Sequence, residues 1–264
     1  MSYLRRQVSK YLAINWNNAQ LSILVVIFFY YFTQNLLLSQ NWELLALRSI
    51  DDFAINSSVR QMQAAILTGD WSTVFTFFDY AYGNAFWLLN AILLMPLYAI
   101  GDVQLQIIAG RQLSLIYVFS SIFLVGLIID KLYPAHQHLK YPILIAIATM
   151  PMVCIISTKL HVNAQCQFFG ILAFYLLLRE QVIGAKHIFF AGLFAGLAIG
   201  MKLTALFITP LLGLTLIIKF TQNLRMSFGV SQRKDLDKNN YKRPVGFENL
   251  DAVSIYNHVY LVIY

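Results

Sequence analysis

The sequence predicts an all-α, polytopic membrane helical bundle, and three observations carry that prediction. Of 264 residues, 59% are hydrophobic and only 12% charged, about half the charge density of a usual soluble domain. The mean hydropathy is +0.63, so the chain has too little polar surface to cover itself in water. The apolar residues arrive in blocks near the length that crosses a hydrocarbon core as a helix, about 20 residues.

The blocks run Leu21 to Leu38, Ala85 to Ile100, Gln112 to Ile129, Tyr141 to Thr158, Ala164 to Leu178, Ile188 to Met201 and Leu203 to Ile218. The first follows Arg5, Arg6 and Lys10 and outlines a signal peptide, but it is too long and no A-x-A-like cleavage site follows, so it reads as an uncleaved anchor. The second contains Asn90 and Pro96 and makes a poor full span. If it stays in the interface or re-enters, the cytoplasmic side collects all of the 19 Lys and Arg residues except Arg48, Arg60, Arg111, Lys159 and Lys202. If it crosses, Lys131, Lys140, Arg179 and Lys186 move outward, against the positive-inside rule. The expectation is therefore six spans over residues 1–220, with the segment 40–110 and the turn from Lys159 to Gln165 on the outer face. The +7 balance is explained by these loops and calls for no nucleic acid.

From 221 to 264 the chain turns hydrophilic, with Arg225, Arg233, Lys234, Asp235, Asp237, Lys238, Lys242 and Arg243. It reads as a cytoplasmic tail or the start of a second half, since apolar residues resume between His258 and Tyr264. Cys154 and Cys166 match no disulfide framework and no zinc spacing, and no cluster of His, Asp or Glu implies a metal. The chain has neither a P-loop nor a Gly-x-Gly-x-x-Gly after a strand, so neither a nucleotide nor another cofactor is expected.

The outer segment holds the unusual polar residues. Asp51-Asp52 is an adjacent carboxylate pair beside the membrane, where neighbouring acids shift each other's titration and one can act as a base; Asp is also favoured at any helix N-terminus. Val59, Met62, Ile66 and Leu67 recur at helical spacing and predict an amphipathic interfacial helix, ended by Gly69-Asp70-Trp71. Phe75 to Trp87 is dense in aromatics, including Tyr82, which reads as an interfacial belt or as a platform for a sugar ring or isoprenoid chain.

In order and spacing these features resemble the GT-C glycosyltransferases that use polyprenyl-phosphate sugars, akin to protein O-mannosyltransferases and aminoarabinose transferases. The resemblance rests on Asp51-Asp52, Gly69-Asp70-Trp71, Phe86-Trp87-Leu88-Leu89-Asn90, the Arg111 segment, and the Gly-rich run Gly192 to Thr204 that ends Lys202-Leu203-Thr204. It covers residues 19 to 218. The chain departs from the family in having Asp51-Asp52 for Asp-Glu, Tyr82-Gly83-Asn84 for Pro-Pro-Leu, and Lys159-Leu160-His161-Val162-Asn163 where many members carry Asp. Gly192, Gly196 and Gly200, four residues apart, equally suit close helix packing.

The resemblance implies transfer of a sugar from a polyprenyl-phosphate donor to an acceptor hydroxyl on a glycan, lipid or protein, at the outer face; the absence of lysine-rich targeting or retention signals fits a bacterial plasma membrane. Asp51, or Asp52 in a shifted register, is implied as general base. Arg111, then Lys202 and Arg60, are the candidates for the donor phosphate; each also suits a span-end residue reaching lipid headgroups. His161, Asn163, Asp70 and Tyr82 are candidates to orient the acceptor. The competing classes are a polytopic transporter, whose spans would carry charge, and a truncated, non-catalytic relative.

Overall fold

Apolar helices with internal caps and few charges account for the architecture seen in the computed structural model. It describes residues 2–40, 50–77, 82–179 and 184–221, with side chains for 19–40, 51–77, 82–179 and 184–221. Met1–Phe220 forms one compact unit. Apart from Thr221, the stretch expected as a tail, and likewise Asp79 and Tyr80 of the aromatic run, lie outside the described residues.

Helix α1 (Ser2–Gln40) contains an apolar stretch, Ala19–Gln40, of 22 residues, roughly 33 Å at 1.5 Å per residue and so the thickness of a bilayer core. Helix α2 (Ile50–Thr68) buries Ile55, Val59 and Met62 on one face, as their spacing predicts. It stops at Gly69, whose φ of 71° is the left-handed conformation that ends helices. Asp70 then caps the short α3 (Trp71–Thr76): the Thr73 amide donates to its Oδ1 at 3.1 Å and the Thr73 hydroxyl to its Oδ2 at 2.6 Å.

The second apolar block folds as two short helices, α4 (Asn84–Leu93) and α5 (Met95–Ile100), broken at Leu94 before Pro96. At 10 and six residues, neither reaches across a bilayer core of about 30 Å. Gly101, at φ 81°, ends α5 and is followed by α6 (Val103–Leu132), a 30-residue helix capped by Asp102.

A 3-10 turn, Pro134–Leu139, leads to α7 (Lys140–Ala148) and α8 (Pro151–Ser157), which meet at 65°. The block Tyr141 to Thr158, expected as one span, is therefore a bent pair. Pro151 explains the bend, because it holds the preceding Met150 in extended backbone (ψ 137°). Helices α9 (Val162–Arg179) and α10 (Ala185–Met201) pack along their length, with Phe169 stacked on Phe194 at 5.8 Å. A break at Lys202 leads into the last apolar segment, Leu203–Thr221.

Among the described residues, four helices are long and apolar enough to cross a membrane: Ala19–Gln40, Val103–Leu132, Val162–Arg179 and Leu203–Thr221. The bent pair makes a fifth candidate, and Ala185–Met201 is shorter, at 17 residues. This set is compatible with a multi-pass membrane protein. Large apolar side chains such as Phe29, Tyr30, Phe123, Phe189 and Phe207 stand more than half exposed on the outside, while Asn35, Gln63, Asn90, Gln106, Ser114, Ser157 and Gln165 are wholly buried. Polar inside and apolar outside is the arrangement lipid favours, since interhelical hydrogen bonds then join elements that the hydrophobic effect does not drive together. Asn35 donates to the Ser157 carbonyl at 2.9 Å, Gln112 to Phe32 at 3.0 Å, and Tyr31 to Ala148 at 3.1 Å.

Candidate active site at one end of the bundle

The first turn of α2, the first third of α6, the loop between α8 and α9, and the C-terminus of α10 converge at one end of the bundle. The two acids found there are not equivalent. Asp52 is buried, and its Oδ2 accepts from Arg111 Nε at 2.9 Å and Nη2 at 2.5 Å, with side chains 1% and 5% exposed. Its Oδ1 accepts from the Leu160 amide at 3.2 Å, tying α2 to the loop before α9. Arg111 also donates through Nη1 to Ser39 Oγ at 2.9 Å, which closes α1 onto the same pair. Asp51 points the other way: its side chain is 73% exposed, and Lys159 Nζ lies 3.9 Å from its Oδ2.

The loop carries the remaining polar groups. His161 is anchored by its amide, which donates to Ser114 Oγ at 3.1 Å, and its Nδ1 accepts from the Asn163 amide at 3.1 Å. In the neutral ring that acceptor leaves the proton on Nε2, which is then a donor. Burial, with the charges of Lys202 and Lys159 nearby, lowers the His161 pKa from 6.5, while Asp51 and Asp52 pull it the other way; the imidazole is therefore neutral at neutral pH. Lys202, in the extended break after α10, donates to Asn163 Oδ1 at 2.9 Å. Tyr82 closes one side, its ring 6.4 Å from that of His161.

The break at Lys202 is held by a close backbone approach. The Gly83 amide donates to the Met201 carbonyl at 2.8 Å, and a Cβ at Gly83 would stand 2.0 Å from the Gly200 carbonyl oxygen. Beneath lie Phe86, Trp87, Met62, Val162 and Met201, all buried in one core. The Phe86-Trp87 motif is thus packing that supports the site from below.

Comparison with protein-family models, with curated proteins and with solved structures gives no match to this chain. What the site can do is read from its own geometry.

Asp51, His161, Asn163, Lys202 and Tyr82 are brought together, with Lys159 added to them. Arg111 points at Asp52, not at open space. Asp70 is a helix cap whose pKa is lowered by Thr73. Arg60 lies about 13 Å further along α2 than Asp51 and meets other partners: its guanidinium sits 4.7 Å above the Tyr98 ring and donates to Gln106 Oε1 at 2.9 Å. No group of His, Cys, Asp and Glu among the described residues has a metal-binding arrangement.

Sequence reasoning passed over two buried amide pairs that hold the site's walls. Gln106 donates to Gln63 at 2.9 Å, and Gln63 to the Ala91 carbonyl at 3.1 Å. Asn90 and Gln165 bond reciprocally at 2.7 and 3.1 Å. The signal for the second pair was there, as lone amides inside the apolar blocks Ala85 to Ile100 and Ala164 to Leu178; Gln63 and Gln106 lie outside every block and carried none.

Proposed function

We propose that this protein is a membrane glycosyltransferase that moves a sugar from a polyprenyl-phosphate donor to an acceptor hydroxyl, at the outer face of a bacterial plasma membrane. One observation carries the reading. An exposed carboxylate, Asp51, stands at one end of the apolar bundle beside Lys159 (3.9 Å) and near a neutral histidine and Lys202. A base, a proton donor and fixed positive charge are the groups that displacement of a lipid phosphate requires.

In this reading Asp51 accepts the proton of the acceptor hydroxyl as its oxygen attacks the sugar's anomeric carbon. The bond from that carbon to the phosphate oxygen breaks, and the phosphate leaves with the electron pair. Lys202 and Lys159 offset the charge that develops on it. His161, through Nε2–H, donates to the phosphate or orients the acceptor. Asn163 holds Lys202 by a hydrogen bond of 2.9 Å, and Tyr82 offers a ring face for the sugar. Asp52 and Arg111 satisfy one another and set the loop through Leu160, so they are positioning residues here.

The proposed topology has six spans, α1, α6, α7–α8, α9, α10 and the last apolar segment, with α4 and α5 staying at the end that holds Asp51; four long apolar helices and one bent pair support it. Lys131, Lys140, Arg179 and Lys186 then share the opposite end, the cytoplasmic one by the positive-inside rule.

The test is transfer from radiolabelled polyprenyl-phosphate sugars by the purified chain in lipid. Asp51→Asn is expected to lower the rate at least about a hundredfold, the usual contribution of a general base, without changing thermal stability. Transfer by Asp51→Asn at the native rate overturns the assignment of the base, and no transfer by the native chain with any donor overturns the activity.

A further inference from the structure

A cleft lies between α1, α6 and α7, away from the end that holds Asp51. Its volume is about 370 Å³, within the ordinary range for small-ligand sites. Leu24, Ile122 and Leu144, all buried, form its floor, and Val25, Phe29 and Phe123 line it with exposed side chains. Phe28 and Phe119, edge to face at 5.1 Å, are its deepest rings along α1 and α6. Among the described residues that line it, the polar ones are Lys140 and Tyr141. Lys140 donates to Asp130 Oδ2 at 2.5 Å, and its Nζ lies 5.4 Å from the centre of the Tyr141 ring.

Depth says what fits there. The apolar part of α1 starts at Ala19, so Leu21, which lines the cleft beside Lys140, lies near one edge of the hydrocarbon core. Phe29 is about 12 Å further in, at 1.5 Å per residue. The cleft therefore runs within a single leaflet, about 15 Å of a core of about 30 Å. An apolar trough with one ammonium at its outer end matches a hydrocarbon chain that carries an anionic head. An ammonium has three N–H groups, so a single carboxylate does not use it up. The charge around it is one-sided: in residues 1–20 and 130–141, Arg5, Arg6, Lys10, Lys131 and Lys140 stand against one acid, Asp130. Such an excess at headgroup level favours anionic over zwitterionic lipid. It also opposes a second copy of this chain, which would bring the same basic end to the same depth.

We propose that this cleft binds an anionic diacyl phospholipid of the leaflet away from Asp51, with one acyl chain among its phenylalanines and the phosphate at Lys140. The lipid is distinct from the sugar donor: Ser39, where α1 meets Arg111, is about 27 Å along the helix from Leu21. The site does not rest on the glycosyltransferase reading. Asp130 shares the ammonium with the bound phosphate and opposes it, which gives the two members of the ion pair opposite effects on lipid affinity.

The experiment uses the purified, delipidated full chain in detergent, with bound lipids counted by native mass spectrometry. The probes are dioleoyl phosphatidylglycerol, dioleoyl phosphatidylcholine and a polyprenyl monophosphate. Phosphatidylglycerol is expected to bind about fivefold more tightly than phosphatidylcholine, the contribution of roughly one lysine at a membrane surface. Lys140→Gln should erase that preference. Asp130→Asn should widen it, because the phosphate then has the ammonium to itself. An ion pair that only holds α6 to α7 would instead shift both variants the same way. Val25→Trp fills the cleft from an exposed position and should block binding, whereas Val26→Trp, its exposed neighbour outside the cleft, should bind as the native chain does. That contrast separates a lost site from a lost fold. Equal affinity for the two phospholipids, a shift of Lys140→Gln and Asp130→Asn in one direction, or equal binding in the two tryptophan variants overturns the proposal. So does a preference for the polyprenyl monophosphate over phosphatidylglycerol, which would make the cleft a carrier-lipid site. None of the arms reads sugar transfer, so failure here leaves the role of Asp51 to its own test.

Discussion

The pair formed by Asp52 and Arg111 shows how burial separates two adjacent acids, Asp52 paired inside the bundle and Asp51 left exposed. With side chains 1% and 5% exposed, neither can lose the other without leaving a buried charge, which in such pairs costs about 3–5 kcal/mol. Arg111→Met should therefore lower the melting temperature in detergent sharply, and Arg111→Met with Asp52→Leu should recover most of the loss. A single variant as stable as the native chain would show that the pair is not closed in solution. His161 gives a prediction with a sign. Its native pKa lies below 6.5, its unfolded value, so between the two the unfolded chain binds more protons than the native one. Stability should fall as pH drops below about 6.5 and stay flat above it, and His161→Gln should flatten that limb in a melting-temperature profile against pH. The acidic pair and His161 were singled out in the sequence as polar residues of two loops expected on one face. Which acid stays accessible was not, because it depends on Arg111, 59 residues from Asp52, and on an amide of the loop before α9. Arg111 was picked out as a cation near a span end, but the sequence did not show that its guanidinium is taken up by Asp52 and Ser39.

Hydropathy located the helices well and their breaks less well, because a break is a local steric event inside a block whose average hydropathy stays high. The weak block from Ala85 to Ile100 was read from Asn90 and Pro96, and it divides at Leu94. The bend at Pro151 was written just as plainly, but the apolar run around it hid it. Glycines differ in the same way. The spacing of Gly192, Gly196 and Gly200 admitted close packing, yet a Cβ at Gly192 or Gly196 meets nothing within 4 Å, while one at Gly200 would lie 3.2 Å from Ala85 Cβ. The decisive glycine is Gly83, whose Cβ would stand 2.0 Å from the Gly200 carbonyl oxygen and 2.9 Å from its carbon. Backbone cannot swing aside as a flexible side chain does, so Gly83→Ala must part α4 from the end of α10 and should destabilise by about 1–3 kcal/mol. Gly196→Ala, in an open helical position, should instead be neutral or stabilising by up to about 1 kcal/mol. Melting curves of the two variants in one detergent check the contrast. Because Met201 and Lys202 follow the contact directly, Gly83→Ala should also lower transfer, whereas Gly196→Ala should not.

At the scale of the whole molecule, the fold sets two differently charged ends apart by the length of its helices. One end holds Asp51, Lys159, His161 and Lys202, and the other holds Lys131, Lys140, Arg179 and Lys186. The reading of α4 and α5 as helices that do not cross fixes which pairs of loops share a side, and the positive-inside rule fixes which side is which. Both steps meet in one labelling experiment. In a background with Cys154 and Cys166 replaced by alanine, single cysteines at Gln61, His136 and Lys186, all exposed, are treated in intact cells with a membrane-impermeant maleimide. Gln61→Cys should label at once, and His136→Cys and Lys186→Cys only after permeabilisation. If α4 and α5 together crossed the membrane, Gln61 would label from the side opposite to the one predicted relative to the start of α6, and would share a side with Lys186. If the whole pattern inverted, the acidic cluster would face the cytoplasm, and a sugar donor presented at the outer leaflet could not reach Asp51. Agreement at all three positions would place an exposed base, a neutral histidine and two lysines where a lipid phosphate arrives from the bilayer and an acceptor arrives from outside, the juxtaposition that glycosyl transfer at this surface demands.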